Sequence, residues 1–240
     1  MKVPTGMTSL LEGIRQRLPP GVIRLNHEVT SIMWGQDGGS PVTIKCQNGG
    51  SFSCDFLICT IPLGVLKIKG HDLFIPPLPD DKLDAIKDVP FGKVDKIFMH
   101  YEKPFWTPGH GGIKLAWDND SIKVSSVEKE WYKKIFAFDE VLNNPTVLVA
   151  WISGDEAEYM ETLPESVIME TCTQIIRKFL KNPSIPLPSD VIQTKWCTNP
   201  HSMGSYGYQG NKSQIDARKT LCEPLYHKGA PRVFFAGEAS

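Results

Sequence analysis

A lysine set inside an otherwise apolar strand pattern constrains this chain more than any other feature. It lies in the stretch Asp88 to Trp106, DVPFGKVDKIFMHYEKPFW. From Val94 to Tyr101 the residues alternate, so Val94, Lys96, Phe98 and His100 share one face of a strand and Asp95, Ile97, Met99 and Tyr101 the other. One of these faces must meet the interior. If it is the Lys96 face, the ammonium loses hydration and the amine can act as a base or hold a water near a reacting centre. Otherwise Lys96 marks a strand end, paired with a carboxylate or reaching solvent along its own methylenes.

The rest of the chain narrows the classes. Its 240 residues suffice for one large domain or two modest ones. Basic and acidic residues nearly cancel, 26 against 27, so no overall field favours nucleic acid or an anionic membrane. No apolar run is long enough to span a bilayer, and the start, MKVPTGMTSLLEG, lacks the apolar stretch of a signal peptide. A soluble, cytoplasmic protein is expected. The six cysteines form no CxxC pair, which favours free thiols in a reducing compartment. The six histidines are scattered, and no metal site is expected. Sequons stand at Asn119 and Asn211, weak signals without a secretory start.

Leu10, Leu11, Ile14 and Leu18 predict a short amphipathic helix over 8–18, capped by Thr8 or Ser9 and stopped by Pro19-Pro20-Gly21. Residues 22–34 read as a strand. VTIKCQ, Asn48-Gly49-Gly50 and SFSC read as a hairpin that continues into a strand over 56–61, apolar enough to be covered on both faces until Pro62 ends it. DDKLDAIKDV reads as a helix with an acidic start, and 147–153 as another apolar strand. The clearest helix is 162–180: Thr162 and Glu165 fit a capping box, and Val167, Ile168, Cys172, Ile175, Ile176 and Phe179 form one stripe. A proline-rich linker, the strand VIQTKW, a glycine- and tyrosine-rich loop and the strand RVFFAGEAS follow.

Strands and helices without regular alternation indicate an α/β chain of mixed α+β type rather than a complete doubly wound sheet. No GxGxxG follows a strand. Gly204, Gly207 and Gly210 in GSYGYQG have another spacing, and no helix is expected behind them. Ala239-Ser240 falls inside what reads as a strand-to-helix turn, as expected of a piece of a longer chain.

Taken together and in order, DFLICTIPLGVLK, PFGKVDKIFMHYEKPFW, WYKKI, VAWISGDEAEYME, KWCTNPHSMGSYGY and VFFAGEAS resemble the flavin-dependent amine oxidases. Within them they are most similar to the animal polyamine oxidases, the spermine oxidase and acetylpolyamine oxidase branch. The resemblance runs from Val3 to Ser240; the family's N-terminal glycine-rich βαβ unit and C-terminal helix have no counterpart in these residues. It implies a partial Rossmann-like FAD-binding domain over 1–66 and 225–240, and a mixed-sheet substrate-binding domain with flanking helices over 67–224.

The resemblance also implies site residues. Lys96 matches the catalytic lysine that holds a water against flavin N5. Among cofactor-binding positions, Trp196 matches the tryptophan beside the isoalloxazine, and Val29 the residue whose backbone meets the adenine. Pro62 and Leu63 match the turn along the flavin and ribityl chain, and Gly237 and Glu238 the pair beside the ribityl and pyrophosphate. Tyr206 matches the aromatic that clamps the polyamine, with Tyr208 joining the same wall. The family commonly has serine where Gly207 stands and threonine where Ser240 stands.

The implied chemistry is FAD-dependent oxidation of spermine or N-acetylated polyamines to a shorter amine, an aminoaldehyde and hydrogen peroxide. Polyamine and oxygen are the implied partners, with no nucleic acid and no membrane. A peroxisomal address would sit at the family's C-terminus. Two other readings stay open: another flavin amine oxidase, such as a histone lysine demethylase, or a catalytically inert fragment.

Overall fold

The computed structural model describes residues 6–37, 41–118 and 123–240, except for the side chains of 212–214. The sequon at Asn119 lies outside the described residues. The chain is α/β with mixed helices and sheets. It divides into two compact units, one of residues 92–205 and one of residues 6–91 with 206–240.

The second unit opens with α1 (Met7–Arg15), which buries none of its residues, so its apolar stripe faces outward. The strand expected over 22–34 forms only as β1 (Val29–Trp34). Asn26, at φ 60, interrupts the extended run, a conformation asparagine tolerates better than most residues. The hairpin forms as expected from β2 (Val42–Cys46) and β3 (Ser51–Cys54), with β2 also antiparallel to β1.

The buried strand is shorter than expected. β4 (Leu57–Cys59) hides Cys59 but leaves Phe56 and Ile58 59% and 66% exposed, because it lies at a sheet edge with one face covered. Pro62 does not merely end it; it is the N-cap of α2 (Leu63–Leu73), a helix not expected from the pattern. The chain continues through β5 (Phe74–Ile75), parallel to β1, and α3 (Asp80–Asp88) to the short β6 (Phe91–Gly92).

In the 92–205 unit, β7 (Val94–His100) is the predicted lysine strand. It lies second in a five-stranded antiparallel sheet with β8 (Ile113–Lys114), β9 (Ala137–Val141), β10 (Asn144–Ser153) and β11 (Asp190–Gln193), in the order β11-β7-β10-β9-β8. Its interior face is the one carrying Asp95, Ile97, Met99 and Tyr101, all 0–1% exposed, while Lys96 is half-buried on the other. Between β8 and β9 come α4 (Val127–Glu130) and a 3₁₀ turn over Trp131–Lys134.

The expected single helix over 162–180 is two: α5 (Asp155–Glu161) and α6 (Glu165–Leu180). Thr162 does not cap α6. Its hydroxyl donates to the Tyr159 carbonyl at 2.7 Å and so closes α5, while Pro164 takes the N-cap position. Ile168, Cys172, Ile175 and Ile176 of α6 share one core with Ile97, Met99 and Tyr101, each large side chain contributing about 1.5–3 kcal/mol by leaving water.

The chain then re-enters the other unit through β12 (Tyr206–Gly207). The absence of a helix behind Gly210 was a wrong expectation, since α7 (Lys212–Cys222) begins two residues later. Its apolar stripe is thin, and tertiary bonds complete it: the Lys82 ammonium, buried, donates to the carbonyls of Thr220, Leu221 and Glu223 at its C-terminal end. β13 (Leu225–His227) and β14 (Ala230–Phe235) finish the chain, with β14 parallel to β4.

Candidate functional site

Each unit carries its own group of the expected residues. In the 92–205 unit, Lys96 and Trp196 are brought together through the backbone. The Lys96 N–H donates to Thr194 Oγ1 at 2.8 Å and the Thr194 N–H to the Lys96 carbonyl at 2.9 Å, extending the β7–β11 pairing toward Trp196. Trp196 is held at both its polar backbone groups. Its N–H donates to Asp95 Oδ1 at 3.3 Å, and its carbonyl accepts from Ser202 Oγ at 2.7 Å and the Gly204 N–H at 2.9 Å. The indole itself is 46% exposed.

Lys96 lies opposite Trp151 on β10, with its ammonium 4.4 Å from that ring's centroid. An aromatic face attracts a cation without neutralising it. Among the described residues no carboxylate forms an ion pair with Lys96, but the interior face is that of Asp95, so the expected condition of a Lys96 face turned inward is not met and the ammonium is only half-buried.

In the other unit, Pro62, Leu63, Gly237 and Glu238 converge where two parallel strands end. The Ala236 N–H donates to the Cys59 carbonyl at 3.0 Å, so β4 and β14 finish side by side. Gly237 at φ 95 then turns the chain against Thr60, where an added Cβ would sit 3.4 Å from the threonine's own Cβ. Glu238 accepts from the Leu63 N–H at 3.0 Å and from the Gly207 N–H. Its carboxylate thus caps the N-terminus of α2, where the helix dipole favours a negative charge. Ser240 Oγ donates to the Gly237 carbonyl at 3.2 Å, closing the turn.

Tyr206 and Tyr208 flank Gly207, with both rings about half exposed. Tyr208 borders a cavity of about 270 Å³ with Gln209, Gly210, Ile215 and Arg218. A Cβ at Gly207 would come 2.6 Å from Arg218 Nη2, the far end of a flexible side chain that can move aside. Val29 stands apart from this group. It opens β1 and lines a separate cavity of about 250 Å³ against Ile68, Lys69, Asp72 and Leu73, toward the far end of α2.

The residues present fit a flavin nucleotide. A strand-to-helix N-terminus beside a second parallel strand end is where α/β sheets bind phosphorylated ligands. There, among the described residues, the buried Arg218 Nη2 has no hydrogen-bond partner, as expected of a donor reserved for a ligand acceptor. The family profile of flavin containing amine oxidoreductases matches residues 1–240.

The chain belongs to this family.

Its cofactor class is therefore a flavin, in accord with the FAD expected from the motifs. The chain is 32% identical over 253 residues to the peroxisomal N(1)-acetyl-spermine/spermidine oxidase of Bos taurus, covering 99% of this chain and 49% of that one. It is 32% identical over 251 residues to the Homo sapiens protein of the same name, with 98% and 49% covered. A possible lysine-specific histone demethylase 1 of Drosophila melanogaster is 30% identical over 239 residues, covering 90% of this chain and 25% of its own. The chain spans about half the length of the two oxidases it matches.

Sequence reasoning missed three residues of the first group: Trp151, Asp95 and Glu161. Trp151 is a strand residue whose partner is set by register. Asp95 was visible as the one charged residue on the apolar face of β7, a carboxylate that must be satisfied once that face is buried. Glu161 gave no local signal; it ends α5 and accepts from the Cys197 and Thr198 N–H groups, both at 2.7 Å.

Proposed function

We propose that this protein is an FAD-dependent polyamine oxidase, taking spermine or an N-acetylated polyamine to a shorter amine and an aminoaldehyde with release of hydrogen peroxide. The observation that supports it most is Lys96, an ammonium over the Trp151 ring with no carboxylate ion pair among the described residues, one ladder step from the Trp196 segment. An ammonium in that state is free to hold a water and to exchange a proton at Nζ.

FAD, when bound, supplies the two-electron oxidation of the amine and passes the electrons to oxygen. The chain supplies orientation. The exposed faces of Trp196, Tyr206 and Tyr208 suit methylene chains and nearby cations. With Glu238 already capping α2, Gly237 allows close backbone approach and Arg218 offers a cation to an anionic group of the ligand. Val29 lies toward the other end of α2, whose 11 residues span about 16 Å, a separation that an extended dinucleotide covers. In this reading residues 1–66 and 225–240 serve the cofactor, 67–224 serve the substrate while lending Trp196 and Arg218 to the cofactor, and the protein acts in the cytoplasm.

The test has two stages. After incubation with FAD and removal of the excess, the chain is expected to show a bound-flavin absorbance spectrum; a flavin-free spectrum would reduce these residues to an inert fragment. Peroxide release is then measured with spermine, N-acetylspermine and a methylated lysine peptide. Release on the peptide alone would move the protein to the demethylase branch, which the Drosophila relative represents. Lys96→Met is expected to slow turnover by about 100-fold or more while leaving the fold intact, and unchanged turnover would remove Lys96 from the chemistry.

A further inference from the structure

Three carboxyl groups lie buried in the 92–205 unit, and among the described residues two of them, Asp95 and Glu161, pair with no cation. Asp95 is 0% exposed on the interior face of β7 and Glu161 2% exposed at the end of α5. One oxygen from each, with Cys197 Sγ, falls within 4.8 Å of the others. Two buried carboxylates at that separation do not both stay ionised.

The donors around them show where the proton sits. Both oxygens of Glu161 already accept from main-chain N–H groups, Oε1 from Cys197 and Oε2 from Thr198, each at 2.7 Å. Asp95 Oδ1 accepts from Thr194 Oγ1 at 2.6 Å and from the Trp196 N–H at 3.3 Å, while among the described residues Oδ2 meets only the weak thiol donor of Cys197, at 3.8 Å. Oδ2 is the oxygen with room for a proton, and Glu161 the neighbour able to accept from it.

We propose that Asp95 and Glu161 share a single proton, carried on Asp95, and that this acid–carboxylate pair is the staple that fastens the 194–198 segment to β7 and α5 and so positions Trp196. Burial first, and then the bond with Glu161, holds the Asp95 carboxyl above the ordinary range. At Glu161 burial acts in the same upward direction but is outweighed by the Asp95 bond and by the donors from Cys197 and Thr198, which leave it below its ordinary value.

Among the described residues no neighbouring lysine forms an ion pair with either carboxyl, and Lys195, inside the 194–198 segment, is exposed. Lys93 pairs with Asp155 and Glu158 on α5, Lys134 faces Glu156 at 4.0 Å, and Lys96 lies on the opposite face of β7. Cys197 is pushed up by burial and then by the two carboxyls, so it remains a thiol.

The pair has a two-sided pH signature. A folded state that keeps the Asp95 proton has full benefit below the ordinary value of 3.8, and loses it as pH rises through the raised folded value. The Glu161 contribution runs the other way: it is present above 4.5 and lost as pH falls through the lowered value. The relevance of Trp196 to a flavin rests on the polyamine oxidase reading; the staple does not, and it is measured without cofactor.

The two carboxamide variants are not equivalent. Asp95→Asn keeps an acceptor for Thr194 and Trp196 and places N–H where the acid's proton points. Glu161→Gln turns an NH₂ against the N–H of Cys197 or Thr198. The chain is labelled with fluorotryptophan, its Trp196 resonance assigned with Trp196→Phe, and followed by fluorine NMR and urea unfolding from about pH 4 to about pH 9.

In the wild-type chain the Trp196 resonance is expected to move as pH rises. The folding constant is expected to fall by up to about tenfold per pH unit over the same range. Asp95→Asn should hold the low-pH resonance throughout and abolish that fall, and Glu161→Gln should shift the resonance at every pH or prevent folding. The proposal is overturned if Asp95→Asn keeps the fall between the ordinary and the raised Asp95 values, or perturbs Trp196 as Glu161→Gln does. It is also overturned if a chelator moves the wild-type resonance, which would assign the cluster to a metal ion. Loss of flavin binding with this pattern intact would instead count against the oxidase reading.

Discussion

Three lysines in this chain show how position decides what an ammonium does. Lys67 donates to the carbonyls of Ile86 and Lys87 at 2.6 and 2.8 Å and Lys82 to three carbonyls at 2.7–3.0 Å, so each closes a helix end from outside that helix. Lys96 closes nothing and rests over an indole. Burial pushes the Lys82 ammonium downward, partly offset by the Glu223 and Asp81 carboxylates, and the ammonium lies 4.4 Å from the Phe235 ring centroid. Lys82→Met keeps an unbranched apolar side chain but removes the cation over Phe235 and strands carbonyls at the end of α7. It is expected to cost about 1–3 kcal/mol, read as a lower urea midpoint at unchanged slope. The alternation of 94–101 placed Asp95 and Lys96 on opposite faces without saying which face is inside. That choice rests on the core of α6 residues packed over Ile97 and Met99.

At the scale of elements, the strands with clean alternation and the hairpin were legible, and the helices without a full stripe were not. α2 reads LGVLKIKGHDL, with apolar residues on several sides, and α7 depends on capping from Lys82. The split between α5 and α6 has a local cause: Thr162 bonds back to Tyr159, and Pro164, which lacks an N–H, is suited only to a helix start. One element rests on a single glycine. Gly112, at φ 97 just before β8, lies where an added Cβ would meet the Phe138 carbonyl oxygen at 2.1 Å and Asp139 Cα at 2.8 Å. Both neighbours are β9 backbone. Gly112→Ala is expected to destabilise the sheet edge by about 3 kcal/mol or more, seen as rapid amide exchange confined to β8 and β9 or as loss of the cooperative transition.

For the molecule as a whole, the exposed apolar surface of one unit matters most. Leu10, Leu11 and Ile14 on α1, with Val22, Ile23 and Leu25 after it, are all at least half exposed. A patch of this kind promotes association. Leu11→Glu removes part of it without touching a core, so folding stability should change by no more than about 0.5 kcal/mol. Light scattering should show less self-association than in the wild-type chain. If the substitution instead lowers the midpoint of unfolding, α1 is packed in solution.

The order of the motifs, the faces of β7 and the family were determined by the sequence, because periodicity and motif spacing are properties of neighbouring residues. Tertiary structure alone decided that the Asp95 face is the interior one. It also carried Trp196 to a carboxylate 101 residues earlier and Glu238 to an amide 175 residues earlier. No local pattern encodes such meetings: which carboxyl keeps a proton, and which helix end receives a charge, depends on the donors that distant segments bring into the same buried space.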